Sequence, residues 1–235
     1  MHRIFVTSIQ PPEISGSDAH HLRDVLRLKA GDPLELLDGS GKVYDARIVE
    51  INKERIICRS ISSRPAETEP RLKITLAQAI PKSSKMDFII EKCTELGVNK
   101  IIPLLTERTV KMAAKLERWR KIAKSAAQQS GRCIIPEIAE PLKFGQFLKL
   151  RGQYDLALIA WEGEKENTLK KSLQSPLLPP IPQILVLIGP EGGFTSQEIE
   201  LAKAAGFTPV SLGKTILRTE TAGLAALAAI MYQFT

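Results

Sequence analysis

The chain reads as an α/β protein in two parts, a small β-barrel domain followed by a larger domain on a parallel sheet, and three observations lead there. The aliphatic run Ile184-Leu185-Val186-Leu187-Ile188 breaks into the turn Gly189-Pro190-Glu191-Gly192-Gly193, as a buried strand of a parallel sheet does where it hands the chain to a loop. Before residue 61, apolar residues instead alternate with polar ones in short runs separated by turn sequences, the pattern of antiparallel strands. Between the two regimes, Ser62 to Pro70 carries two prolines and no large apolar side chain, which marks a linker and a domain boundary. With 235 residues, 43% hydrophobic and 25% charged, there is material for two globular cores.

In chain order, Arg3 to Ser8 is a short strand stopped by Pro11-Pro12. Ser17 to Leu28 has Ala19, Leu22, Val25 and Leu26 at helical core spacing, with Ser17 or Asp18 as the cap and Gly31-Asp32 as the stop. Pro33 to Leu37, Val43 to Ile51 and Arg55 to Ser60 alternate as strands around the turns Asp38-Gly39-Ser40-Gly41 and Asn52-Lys53-Glu54, completing a small antiparallel barrel over residues 1–66. The second domain, residues 71–235, opens with the strand Leu72 to Ile80. A basic loop, Pro81-Lys82-Ser83-Ser84-Lys85, then leads into a helix with Met86, Ile90, Cys93 and Leu96 on one face, ended by Gly97. Cys93 on that apolar stripe is core packing rather than a nucleophile.

Lys100 to Leu105 completes a β-α-β unit and delivers Thr106-Glu107-Arg108-Thr109-Val110-Lys111 to the end of the sheet where the later loops emerge. A helix follows, with Leu116, Trp119 and Ala123 inward and Arg118, Lys121 and Lys124 on its other faces, ending in Gln128-Gln129-Ser130-Gly131-Arg132. Phe144 to Leu150 is a short helical piece. Tyr154 to Ala160 is another strand, and Trp161-Glu162-Gly163-Glu164 at its end should form a third wall of any ligand pocket. Lys170 to Pro182, with four prolines, reads as a loop.

After the glycine turn, Thr195-Ser196-Gln197-Glu198 fits a capping box, so a helix starts there with Ile199, Ala202 and Ala205 on one face. Val210-Ser211-Leu212 then ends at Gly213, and after a second loop Thr219 caps an alanine-rich final helix with Glu220 in its first turn. Ligands of α/β sheets bind at such strand ends. Arg218, just before that helix, suits an anionic partner or a transition state that develops negative charge. There is no G-x-G-x-x-G, and no Gly-Lys-Ser/Thr follows the first glycine turn, so neither a dinucleotide fold nor a P-loop is supported.

The net charge of +7 is localised: residues 71 to 133 hold 14 Lys and Arg against 5 Asp and Glu, while the flanking stretches each come to −1. Such a surplus is the footprint of a polyanion, most simply nucleic acid, although a solvated charged face also fits. Cys58, Cys93 and Cys133 form no C-x-x-C pair, and His20 and His21 are adjacent, so no disulfide framework and no metal site are expected. The longest apolar run, Ala222 to Tyr232, is shorter than the roughly 20 residues of a membrane helix, and the N-terminus lacks a signal-like stretch. A cytoplasmic protein with no membrane contact is the expectation.

Two long phrases, LIGPEGGFTSQEIE at residues 187 to 200 and LGKTILRTETA at residues 212 to 222, carry a resemblance reinforced by Thr106-Glu107-Arg108 and Gln129-Ser130-Gly131-Arg132. Together they resemble the 16S ribosomal RNA (uracil N3) methyltransferase family of the SPOUT superfamily. The resemblance implies a PUA-like RNA-binding barrel over residues 1–66 and a SPOUT methyltransferase domain over residues 71–235. It further implies a C-terminal trefoil knot, S-adenosylmethionine as cofactor, small-subunit ribosomal RNA as partner, and a homodimer whose second subunit completes the active site. At the cofactor it places Ile188, Gly189, Glu191, Gly192 and Gly193 from the first loop, and Leu212, Gly213, Ile216, Leu217 and Thr219 from the second. Arg218 and Arg132 would hold negative charge on the uracil oxygens, with Glu220 or Glu107 as candidate bases. RNA contact would fall to Arg3, Arg27, Lys85, Arg108, Lys111 and Arg132. Two other classes compete. A non-catalytic RNA-binding or ribosome-assembly protein leaves the glycine-ended strands without a use, and a nucleotide-phosphate enzyme lacks a lysine in the turn and an evident set of magnesium carboxylates.

Overall fold

The computed structural model describes residues 2–109 and 114–234. Contacts divide the chain into one unit of Met1–Glu69 with Ala127–Ile135 and another of Pro70–Ala126 with Pro136–Thr235. The expected boundary between residues 66 and 71 thus gains a second crossing, because the Gln-Gln-Ser-Gly-Arg segment joins the first unit.

In the first unit, β1 (His2–Phe5), β2 (Glu13–Ser15), β3 (Pro33–Leu37), β4 (Lys42–Ile51) and β5 (Arg55–Pro65) make one sheet in the order β1-β3-β4-β5-β2. The sheet is mixed rather than purely antiparallel, since β1 runs parallel to β3. The physical reason is the intervening β2 and α1 (Gly16–His20), which supply the length a parallel crossover needs. β5 continues through Pro65, paired to β4 from Lys42 onward, so Ser62–Pro65 is strand and not linker. Backbone pairing holds it without apolar side chains.

The helix expected over Ser17 to Leu28 is shorter. α1 follows Ser15, widens into a π-helical turn over His21–Val25, and ends where Arg27 adopts φ 55°. The Leu28 N–H there donates to the Leu22 carbonyl at 3.0 Å, closing the helix four residues before Gly31. Leu22, Leu34, Leu36 and Ile56 form the centre of this unit's core.

The second unit has a sheet in the order β12-β10-β11-β6-β7-β8, with every pairing parallel. Its strands are β6 (Lys73–Ala79), β7 (Lys100–Leu105), β8 (Glu137–Ile138), β9 (Leu142–Lys143, also on β7), β10 (Leu156–Ala160), β11 (Gln183–Ile188) and β12 (Thr208–Val210). Its helices are α2 (Lys85–Glu95), α3 (Leu116–Ser130, whose last residues join the first unit), α4 (Phe144–Phe147), α5 (Leu169–Leu173), α6 (Ser196–Ala204) and α7 (Thr219–Phe234). α5 corrects the expected loop at its start: the Thr168 hydroxyl caps it by accepting from the Lys171 N–H. β11 and β6 sit at the centre of the sheet, buried nearly throughout, so the loop after β11 is delivered at mid-sheet. Cys93 is fully buried on α2, and burial pushes its thiol up to about 12.

Candidate active site

The first wall of the site is the turn after β11. The Gly193 N–H donates to the Pro190 carbonyl at 2.9 Å, and Gly193 holds φ 68°, a conformation that glycine adopts without strain. A Cβ at Gly189 would lie 3.0 Å from the Phe194 ring, and one at Gly193 would lie 2.7 Å from Glu162 Oε1. Arg108 clamps this turn by donating from Nη1 to the Gly192 carbonyl at 2.6 Å. Behind it stands the expected capping box: the Thr195 hydroxyl accepts from the Glu198 N–H, and Glu198 accepts from the Thr195 N–H. Glu198 is buried and also accepts from the Glu107 N–H at 2.9 Å, which ties the loop after β7 to the same corner.

The second wall is the segment entering α7. Thr219 does not cap this helix as expected; the Arg218 carbonyl accepts the first helical bonds, from the N–H groups of Thr221 and Ala222. The buried Thr219 hydroxyl faces the sheet instead, donating to the Gly189 carbonyl at 2.5 Å and accepting from Gln78 Nε2 at 2.9 Å. It therefore joins the second loop to the first. Gln78 was missed in the sequence, although an amide side chain near the end of the apolar run Ile74-Thr75-Leu76-Ala77-Gln78-Ala79 was a usable signal. Ala160, Trp161 and Glu162 supply the third wall, where the end of that strand was expected to stand.

These walls enclose a cavity of about 580 Å³, within the range of small-molecule sites. All ten residues expected at the cofactor line it, as do Arg218 and Lys85. Lys214, Thr215 and Ser211 line it too and were not singled out in the sequence. Arg218 is exposed, and its guanidinium has no hydrogen-bond or ion-pair partner among the described residues. Glu220 does not line the cavity; its carboxylate is 3.2 Å from Lys85 Nζ.

Several expected site residues are placed elsewhere. Arg132 is 3% exposed in the first unit and donates to Glu69 at 3.0 Å, while Glu69 also accepts from the N–H groups of Cys133 and Ile134. Arg132 does not line the cavity, and a buried arginine paired with a carboxylate is suited to holding the fold. Arg3, assigned to RNA, donates to the buried Glu35 at 2.7 Å, and Arg64 pairs with the same carboxylate. Arg27 is exposed. Lys111 lies outside the described residues.

Comparison with known proteins places this geometry. The model of an RNA methyltransferase domain matches residues 68–231, and that of an RNA methyltransferase PUA domain matches residues 14–59. A relative from Synechocystis, a ribosomal RNA small subunit methyltransferase E, is 43% identical over 92% of this chain and 71% of its own length. One of the same description from Bacillus subtilis is 34% identical over 94% of this chain and 89% of its own. The crystal structure of a ribosomal RNA small subunit methyltransferase E from Neisseria gonorrhoeae, bound to S-adenosylmethionine, aligns with a TM-score of 0.83 at 34% identity, covering 99% of this chain and 97% of that one.

Proposed function

We propose that this chain, which belongs to the RNA methyltransferase family, transfers the methyl group of S-adenosylmethionine to N3 of a uridine in small-subunit ribosomal RNA. The observation that carries this reading is the cavity at the sheet's C-terminal edge, built by both glycine loops and lined by Arg218, which is unpaired among the described residues. Its residues fit the cofactor. Ile188, Leu212, Ile216 and Leu217 give apolar walls for an adenine ring, and Gly189, Gly192 and Gly193 let the turn pack against Phe194, Arg108 and Glu162, where a Cβ would press on those side chains. When bound, S-adenosylmethionine supplies an electrophilic methyl group on a sulfonium.

The chain's own residues must orient the uracil and favour loss of its N3 proton. Arg218, at the N-terminus of α7, is placed to hold the negative charge that builds on the uracil oxygens. Glu220 is engaged by Lys85, so in this reading the N3 proton leaves to solvent rather than to that carboxylate.

The same proposal includes a homodimer, a cytoplasmic site of action and the trefoil knot. α7 is strongly apolar yet leaves Ala228, Ala229 and Tyr232 exposed, with Tyr232 89% accessible, which supports a subunit interface. From the edge strand β12 the chain returns to mid-sheet at Thr219, and this return supports the knotted crossing. Among the described residues no helix is long and apolar enough to cross a membrane.

The test is methyl transfer to small-subunit ribosomal RNA, naked and in assembled particles, followed by nucleoside analysis. N3-methyluridine is the expected product, and Arg218→Ala should lower its rate by about 10²–10³. A protein that binds the cofactor yet leaves no N3-methyluridine on either substrate overturns the proposal.

A further inference from the structure

Lys85 stands where three pieces of the second unit meet. Its ammonium, at the start of α2, lies 3.3 Å from Glu191 Oε1 in the first glycine turn and 3.2 Å from Glu220 Oε2 in the first turn of α7. Glu191 Oε1 also accepts from the Lys82 N–H at 3.0 Å, across a loop in which Ser83 holds φ 60°. A non-glycine residue in that region is held there by its surroundings. Glu191 and Glu220 share this one ammonium, so removing it would leave two carboxylates facing each other across the cavity's edge.

We infer that Lys85 is a positioning residue, whose ammonium fastens the glycine turn at 189–193 to the start of α7 and so holds the cavity at the width that admits the cofactor. This rests on the cofactor reading of the cavity. It also reassigns Lys85, expected at RNA phosphate, to an internal latch. Among the described residues, the other charged side chains lining the cavity are Glu162, Lys214 and Arg218, and the Arg108 guanidinium is occupied by the Gly192 carbonyl.

Electrostatics gives the latch a signature. Burial alone would raise the Glu191 carboxyl, but hydrogen bonds from its own N–H, the Lys82 N–H and Lys85 outweigh this and hold it below its ordinary value of 4.5. Its contribution to the closed site is therefore present above that value and lost as pH falls through the lower folded one. In Lys85→Met the sign reverses. The two carboxylates repel when the site closes, so cofactor binding takes up a proton and weakens as pH rises.

The experiment is calorimetric titration of S-adenosylmethionine into wild type, Lys85→Met, Lys85→Arg and the double variant Lys85→Met/Glu220→Gln between pH 5.5 and 8. Wild type should bind with little pH dependence. Lys85→Met should lose about tenfold in affinity at pH 8 and regain about twofold of it at pH 5.5, while Lys85→Arg and the double variant stay within about threefold of wild type at pH 8. RNA affinity without cofactor should be unchanged in all four. The inference is overturned if Lys85→Met binds the cofactor like wild type, if its loss is independent of pH, or if the double variant is no better than the single one. It is equally overturned if RNA affinity falls while cofactor affinity holds, since Lys85 is then a phosphate contact. Should Lys85→Met fail to fold, the double variant decides alone, because relief of repulsion must restore both fold and binding. Absence of binding by wild type is a different outcome, contradicting the cofactor reading itself.

Discussion

Arg132 shows how a residue's type and neighbourhood can point to one role and its contacts to another. Its phrase, Gln129-Ser130-Gly131-Arg132, matches a methyltransferase family, yet the side chain is buried against Glu69, a residue 63 positions earlier. No local pattern announces such a pair. Removing one partner of a buried pair leaves the other charge without compensation, so Arg132→Met should cost about 3–5 kcal/mol of stability in urea unfolding. The folded fraction should keep its turnover. A variant of wild-type stability with lost turnover would return Arg132 to the chemistry. Arg218 is the converse case: its position just before an alanine-rich helix was legible, and the structure leaves it exposed and unpaired among the described residues.

Among the elements, β11, its glycine turn and α6 were readable because their determinants are local. A buried parallel strand shows as an unbroken aliphatic run, and the capping box spans four residues, Thr195 to Glu198. The start of α7 was not readable in the same way. Thr219 has the composition of a cap, but its hydroxyl partners are Gly189, 30 residues away, and Gln78, 141 residues away. The first helix was overextended for a related reason: apolar spacing continues to Val25 and Leu26, while the backbone widens into a π-helical turn that leaves Val25 59% exposed. Thr219→Val tests the join between the loops. It should leave the Gly189 carbonyl and the Gln78 amide without their shared partner, costing about 1–3 kcal/mol in urea unfolding. Cofactor affinity should fall with it, and Thr219→Ser should restore both. Unchanged affinity in a destabilised Thr219→Val would separate the hydroxyl from the site.

At the scale of the whole molecule, the charge surplus between residues 71 and 133 proves less free than the sequence implied. Arg118 pairs with Asp87, Arg120 reaches Glu117 and Glu140, Lys100 pairs with Glu137, and Lys85 holds Glu191 and Glu220. Acids from the C-terminal stretch thus neutralise part of the basic one, which a window count cannot see. The β-α-β order and the glycine-ended strands made the second unit legible as a parallel-sheet domain. The return of residues 127–135 to the first unit was not, because it depends on contacts across the length of the chain. The cavity between the two glycine loops, which the Thr219 hydroxyl joins, is the proposed cofactor site. This assignment is tested most directly by calorimetric titration of wild type and Gly193→Val with S-adenosylmethionine, with ATP and NAD as controls. A valine there must adopt φ 68° and meet Glu162, so the account expects selective binding by wild type and its loss in the variant. Wild type that ignores S-adenosylmethionine, or a folded Gly193→Val that binds it equally well, would contradict the account.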